Sequence, residues 1–180
     1  MDLDSIRKDI DIFLEYTNPE YYVINTGSLV KEDSQVGKFN KNISIRASEI
    51  LKSYNIKFKE HNADYLTLDE IGQRENIVDA INIAPQLGVN QTKEILKLAG
   101  RLGINASDFI SKSYSSGKWA KWIYSTPPSD KYKMAILAGH YNFNTQQYFD
   151  LYNSLNSKID VRSIIIDSSM EIIGEYAKYF

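Results

Sequence analysis

The order of its hydrophobic patterns predicts an α/β fold with parallel strands. Apolar residues at spacings of three and four alternate with short β-prone runs along the N-terminal half. Each run is parted from the next by a stretch that holds a helical stripe, the arrangement that crossover connections need. The composition, 43% hydrophobic and 24% charged over 180 residues, suits a domain with a real core.

Leu3, Ile6, Ile10 and Phe13 or Leu14 form one stripe, which stops before Asn18-Pro19. Tyr21 to Asn25 is a first strand closed by Thr26-Gly27-Ser28, and the polar stretch 31–42 reads as a loop. Ile43, Ala47, Ile50, Leu51 and Tyr54 make a second helix, and Asn55 to His61 alternates as a second strand. Thr67 and Glu70 have the spacing of a capping box for a short helix over 67–72. Asp79 to Ala84 is a third strand, stopped by Pro85. Val89, Thr92, Ile95, Leu96, Ala99 and Leu102 form a third stripe that ends near Gly103. Beyond it the β signal fades. Residues 105–112, 129–138 and 145–155 read as shorter helices, and a last helical pattern runs from Asp160 to Phe180, with a strand at Ile164 to Ile166 as the alternative.

Composition excludes several function classes. Twenty-one basic and 23 acidic side chains leave a formal charge of -2, a poor match for a surface that grips polyanions throughout. With no cysteine there is no disulfide, thiolate nucleophile or cysteine-ligated zinc, and only His61 and His140 offer imidazole. The start, Asp2-Leu3-Asp4-Ser5, is acidic where a secretory leader is basic, and no apolar run nears the roughly 20 residues of a membrane span. A cytoplasmic protein without membrane contact is expected.

Parallel α/β folds keep their chemistry at the carboxyl ends of the strands. Side chains alternate across a strand. If Ile56 and Phe58 face the helices, then Lys59 and His61 face the other way, and the same parity turns Asn25 and Asn82 with them. His61 is then the candidate proton-handling group, flanked by Glu60 and Asp64 as supporting carboxylates. Lys59 would neutralise a substrate phosphate, and the two asparagines would orient hydroxyls. Asn25-Thr26-Gly27 offers donors just past a strand, and Gly88 precedes a helix start where an anion is welcome. Neither stretch matches a P-loop or dinucleotide fingerprint.

Phe58-Lys59-Glu60-His61-Asn62-Ala63-Asp64-Tyr65-Leu66-Thr67, followed by Asn82 to Gly88, resembles the non-catalytic subunit family of class II D-tagatose-bisphosphate aldolases. Tyr21 to Gly27 is similar to the family's preceding strand, and Trp119 to Trp122 with Ala138 to Tyr141 is weakly similar to its aromatic C-terminal region. The resemblance spans about residues 19 to 157. It implies a (β/α)8 barrel and ketose-bisphosphate cleavage in carbohydrate metabolism, or support of the subunit that performs it. A complete barrel takes about 250 residues, so only part of one is present. The expectation is therefore the C-terminal part of a barrel over 1–104, its N-terminal half absent, and a helical extension packed on it over 105–180. A catalytic aldolase subunit, or self-association, would complete it. A sugar phosphate is the implied ligand and no cofactor is needed.

Rival readings rest on particular residues. A divalent metal held by His61 and His140, completed by Glu60 or Asp64, would serve a class II aldolase, and Lys59 would serve a Schiff-base one. Residues 94–122 read as a helix-turn-helix, with Ala99, Gly103 and Phe109 in its structural positions. Lys112, Lys118 and Lys121 would then meet phosphates, although Asp108 sits on its reading helix.

Overall fold

The computed structural model describes residues 2–180. Its helices and strands follow the order the hydrophobic pattern predicts. Helix α1 (Leu3–Leu14) starts on Asp2, whose side chain accepts the Asp4 N–H, and buries Ile6 and Ile10. Strand β1 (Tyr21–Ile24) follows, then a hairpin of two very short strands, β2 (Val30–Lys31) and β3 (Ser34–Gln35). This hairpin replaces the loop expected over 31–42. Helix α2 (Lys41–Ser53) is capped by Asn40 and leads to β4 (Lys57–Glu60). Helix α3 (Leu68–Gly72) carries the expected capping box between Thr67 and Glu70. Strand β5 (Ala80–Ile81) is shorter than its pattern implied, because Pro85 already opens α4 (Pro85–Leu102).

The strands form one open sheet in the order β1-β4-β5, and both pairings are parallel. Each strand lies beside its successor in the chain (the hairpin aside), with α2 and α3 as the crossovers. Such consecutive winding is that of a barrel segment, and one half of a doubly wound sheet has it as well. The fold is thus α/β with parallel strands, open at both edges.

After α4, Gly103 takes a left-handed conformation (φ 65) and ends the helix. Helices α5 (Ser107–Ser115), α6 (Lys131–Ala138), α7 (Gln146–Asn156) and α8 (Val161–Tyr176) complete the chain, with short 3-10 turns at Lys118–Lys121 and Gly139–Asn142. Ile164 to Ile166 lies inside α8, which settles the strand alternative.

The chain packs as two units. The first holds residues 1–30, 34–83 and 176–180, and its core joins Ile6 and Ile10 of α1, Ala47, Ile50 and Leu51 of α2, and Ile24 and Phe58 of the sheet. The second holds residues 31–33 and 84–175 around Val89, Ile95, Leu96, Phe109, Leu151, Leu155 and Val161. Helix α4 falls within the expected barrel portion 1–104 and follows β5 as a barrel helix follows its strand, and it makes its packing contacts in the second unit.

Candidate functional site

Register decides what the strand ends present. Val23 pairs with Lys59 and Lys59 with Ala80, so these three share one face, while Ile24, Glu60 and Ile81 share the other. The second face is the helix-covered one: Phe58 and Glu60 are fully buried there and Ile24 nearly so. On the first face Val23 is 53% exposed and Lys59 is half-buried. The ladder runs one step beyond β1 and β4, because the His61 N–H donates to the Ile24 carbonyl (3.4 Å). Two residues beyond the Val23–Lys59 pair stand Asn25 and His61, both exposed.

On β5 the pairing is one to one, with Ala80 opposite Lys59 and Ile81 opposite Glu60. The Asn82 N–H donates to Glu60 O and continues this register, so Asn82, which is half-buried, stands two residues beyond Ala80 as His61 stands two beyond Lys59.

Glu60 lies on the buried face, away from that of His61. Its carboxylate takes Arg74 Nε at 2.5 Å and Arg74 Nη2 at 3.0 Å, accepts the Thr26 hydroxyl, and lies 2.8 Å from Ser28 Oγ. Both members of this ion pair are essentially without water, and the Arg74 guanidinium also lies 4.3 Å from the centre of the Phe39 ring. Glu60 therefore serves Arg74, Thr26 and Ser28 and not the imidazole next to it. Thr26, at 2% exposure, spends its hydroxyl on the same carboxylate. Sequence reasoning missed Arg74. The signal was there in the parity of Glu60, since a carboxylate on an apolar face must find a cation.

Asp64 is fully buried in the turn after β4, where Asn62 and Tyr65 both have positive φ. Gln35 Nε2 donates to the carbonyls of Asn62 (2.9 Å) and Asp64 (3.2 Å) and so braces this turn. Gly27 has φ 103, and a Cβ there would run into the Lys38 carbonyl. A cavity of about 590 Å3 opens beside it, lined by Asn25, Gly27, Tyr22, Lys38, Asn40 and Asp2 among others. Three of the expected binding residues, Asn25, Thr26 and Gly27, thus border one cavity, and neither Lys59 nor His61 is among its lining residues.

Gly88 has another task. A Cβ there would approach His140 Cβ to 2.7 Å, so the glycine lets α4 pack on the Gly139–Asn142 turn. His140 lies under it, 4.1 Å from the Tyr141 ring, with Nδ1 buried and unpaired. Burial, and secondarily the charge of Lys121, lowers its pKa to about 4. Among the described residues no group of three His, Asp or Glu side chains could hold a metal ion.

No family model and no curated protein matches the sequence. Among solved structures, the chain is similar to one described as the crystal structure of a probable tagatose 6 phosphate kinase from Sinorhizobium meliloti 1021. The TM-score is 0.69 at 14% identity, and the match covers 99% of this chain and 52% of that one. The likeness is one of fold. This chain spans about half the length of the protein it matches.

The helix-turn-helix expectation meets a different packing. Gly103 is the left-handed turn residue it required, but α5 lies chiefly along α6. Trp119 stacks on Tyr114 at 5.6 Å and donates its indole N–H to the Tyr114 carbonyl, and Lys121 lies over the Trp122 and Tyr141 rings. The aromatic residues of this stretch are engaged with their own neighbours. No helix among the described residues is long and apolar enough to cross a membrane.

Proposed function

We propose that this chain is an accessory, non-catalytic relative of the tagatose-bisphosphate type of ketose-bisphosphate aldolase, working in cytoplasmic carbohydrate metabolism. Its barrel portion, residues 1–104 in this reading, takes a sugar phosphate at the strand ends, and residues 105–180 are the helical extension. The observation that carries the reading is the polar row Asn25, Lys59 and His61 on the open face of a parallel sheet, where barrel folds place ligands. Likeness in fold to a protein described as a probable tagatose 6 phosphate kinase supports the class of ligand.

In this reading Lys59 meets the phosphate, His61 handles a proton, and Asn25 and Asn82 hold hydroxyls. The backbone of Thr26 and Gly27 would border the ligand, while Glu60 and Asp64 keep the strand ends in place from the buried side. A catalytic aldolase subunit, or a second copy of the chain, would complete the barrel along the open sheet edges.

Calorimetric titration with tagatose 6-phosphate tests the ligand. Binding by the native chain that falls at least about tenfold in Lys59→Met and His61→Gln, with unchanged thermal stability, is the expected result. Absence of binding, or binding that both variants retain, would overturn it.

A further inference from the structure

The tip of the β2–β3 hairpin, Lys31 to Asp33, packs with the second unit through a dense set of charged contacts. Glu32 Oε1 accepts the backbone N–H groups of three consecutive residues, Tyr124 at 3.0 Å, Ser125 at 2.9 Å and Thr126 at 2.8 Å. Asp33 takes Lys93 Nζ on one oxygen at 2.8 Å and Lys133 Nζ on the other at 2.7 Å. The Glu32 N–H donates to the Trp122 carbonyl at 2.7 Å, and Lys31 Nζ donates to the Lys121 carbonyl at 2.8 Å.

Three successive amides that converge on one oxygen make a nest, the backbone concavity that binds anions. Two ammonium groups beside it add positive charge. Lys93 comes from α4 and Lys133 from α6, so the donors are brought together by the packing of the unit and not by one local turn. The hairpin accepts a cost to fill this cradle: Glu32 sits at φ 53, a conformation that hairpin turns normally give to glycine or asparagine. Glu32 and Asp33 together bring two negative charges. A phosphomonoester brings nearly the same charge with three acceptor oxygens, and five donors are available to it here.

We propose that the Tyr124–Thr126 amides, with Lys93 and Lys133, are a receptor for phosphomonoester dianions, and that the hairpin tip is its resident internal ligand. The site shares no residue with the strand-end row, and the inference stands apart from the sugar-phosphate reading. The carboxylate environment agrees with it. Glu32 is held down to about 2, chiefly by the Thr126 N–H. At Asp33 burial pushes upward, but the two lysines outweigh it and bring the pKa to about 2. Because the tip is tethered, its local concentration is on the order of millimolar, and a free anion binds the native chain with its affinity lowered by the fraction of tips in place.

The test titrates the full chain with phenyl phosphate at constant ionic strength, read by calorimetry and by the amide NMR shifts of residues 124–126. The Glu32→Gln, Asp33→Asn double variant, checked for folding by circular dichroism, should bind at least about tenfold more tightly than the native chain. Adding Lys93→Met and Lys133→Met should cancel the gain. A folded double variant that binds no more tightly, or a quadruple variant that keeps the gain, overturns the proposal. Binding of inorganic phosphate with phenyl phosphate excluded would overturn the monoester assignment. If the double variant does not fold, the native chain decides. Saturable shifts of the three amides in phenyl phosphate, absent in chloride of equal ionic strength, support the receptor, and their absence refutes it.

Discussion

A carboxylate removed from water must bring its own counter-charge, and at Glu60 that partner is Arg74, itself 1% exposed. The pair gains little over a well-packed apolar one, yet removing half of it is expensive, because the other charge stays buried. Glu60→Gln should lower the unfolding free energy by about 3 kcal/mol or more in urea titration, whereas Glu60→Leu with Arg74→Met should cost less than that single change. Such a pattern marks Glu60 as a structural group. His140 makes a different demand. Its folded pKa of about 4 lies below the ordinary imidazole value of 6.5, so the unfolded chain binds the proton more readily between these values. Stability is full above about pH 6.5 and declines as the pH falls toward 4, by at most about 1.4 kcal/mol per pH unit for one proton. Thermal melts of the native chain and of His140→Asn across this range check it, since the variant should lose that slope.

Within α4, two glycines sit in opposite circumstances. At Gly88 a Cβ meets His140 Cβ and Cγ at 2.7 and 2.8 Å, atoms too close to the backbone to swing aside, so Gly88→Ala should destabilise by about 1–3 kcal/mol. At Gly100 nothing lies within 4 Å, and Gly100→Ala should add about 0.5–1 kcal/mol from helix propensity. Denaturant midpoints of the two variants should move in opposite directions. Elements of this kind are where the sequence was most readable. The stripes of α1, α2 and α4, the Thr67–Glu70 capping box and the Gly103 stop are all written in residues a few positions apart. The hairpin at 30–35 was not readable, because strands of two residues carry no periodicity and the tip's partners lie at Trp122 to Thr126. Arg74 went unseen for the same reason, as no local pattern announces a guanidinium whose partner is on β4. At the candidate site, the alternation that sets Lys59 and His61 opposite Phe58 and Glu60 was legible, and the hydroxyls of Thr26 and Ser28 that meet the Glu60 carboxylate were not. The use of Gly88 was misread as well: its neighbour is His140, which no spacing rule could supply.

At the scale of the molecule, the sheet is open at both edges and the chain matches about half the length of a structurally similar protein. The two units are also interleaved along the sequence: 31–33 departs from the first, and 176–180 returns to it. The return is specific. Tyr176 donates its hydroxyl to the Ala63 carbonyl at 2.8 Å and accepts the Leu66 N–H at 3.2 Å, and Tyr179 lies against Gly72. During translation the turn that follows the second long strand of the sheet therefore waits for a tyrosine made more than a hundred positions later. Until that phenol leaves the ribosome the amino-terminal unit is a nascent intermediate with one clasp undone, and a chaperone would meet it in that state.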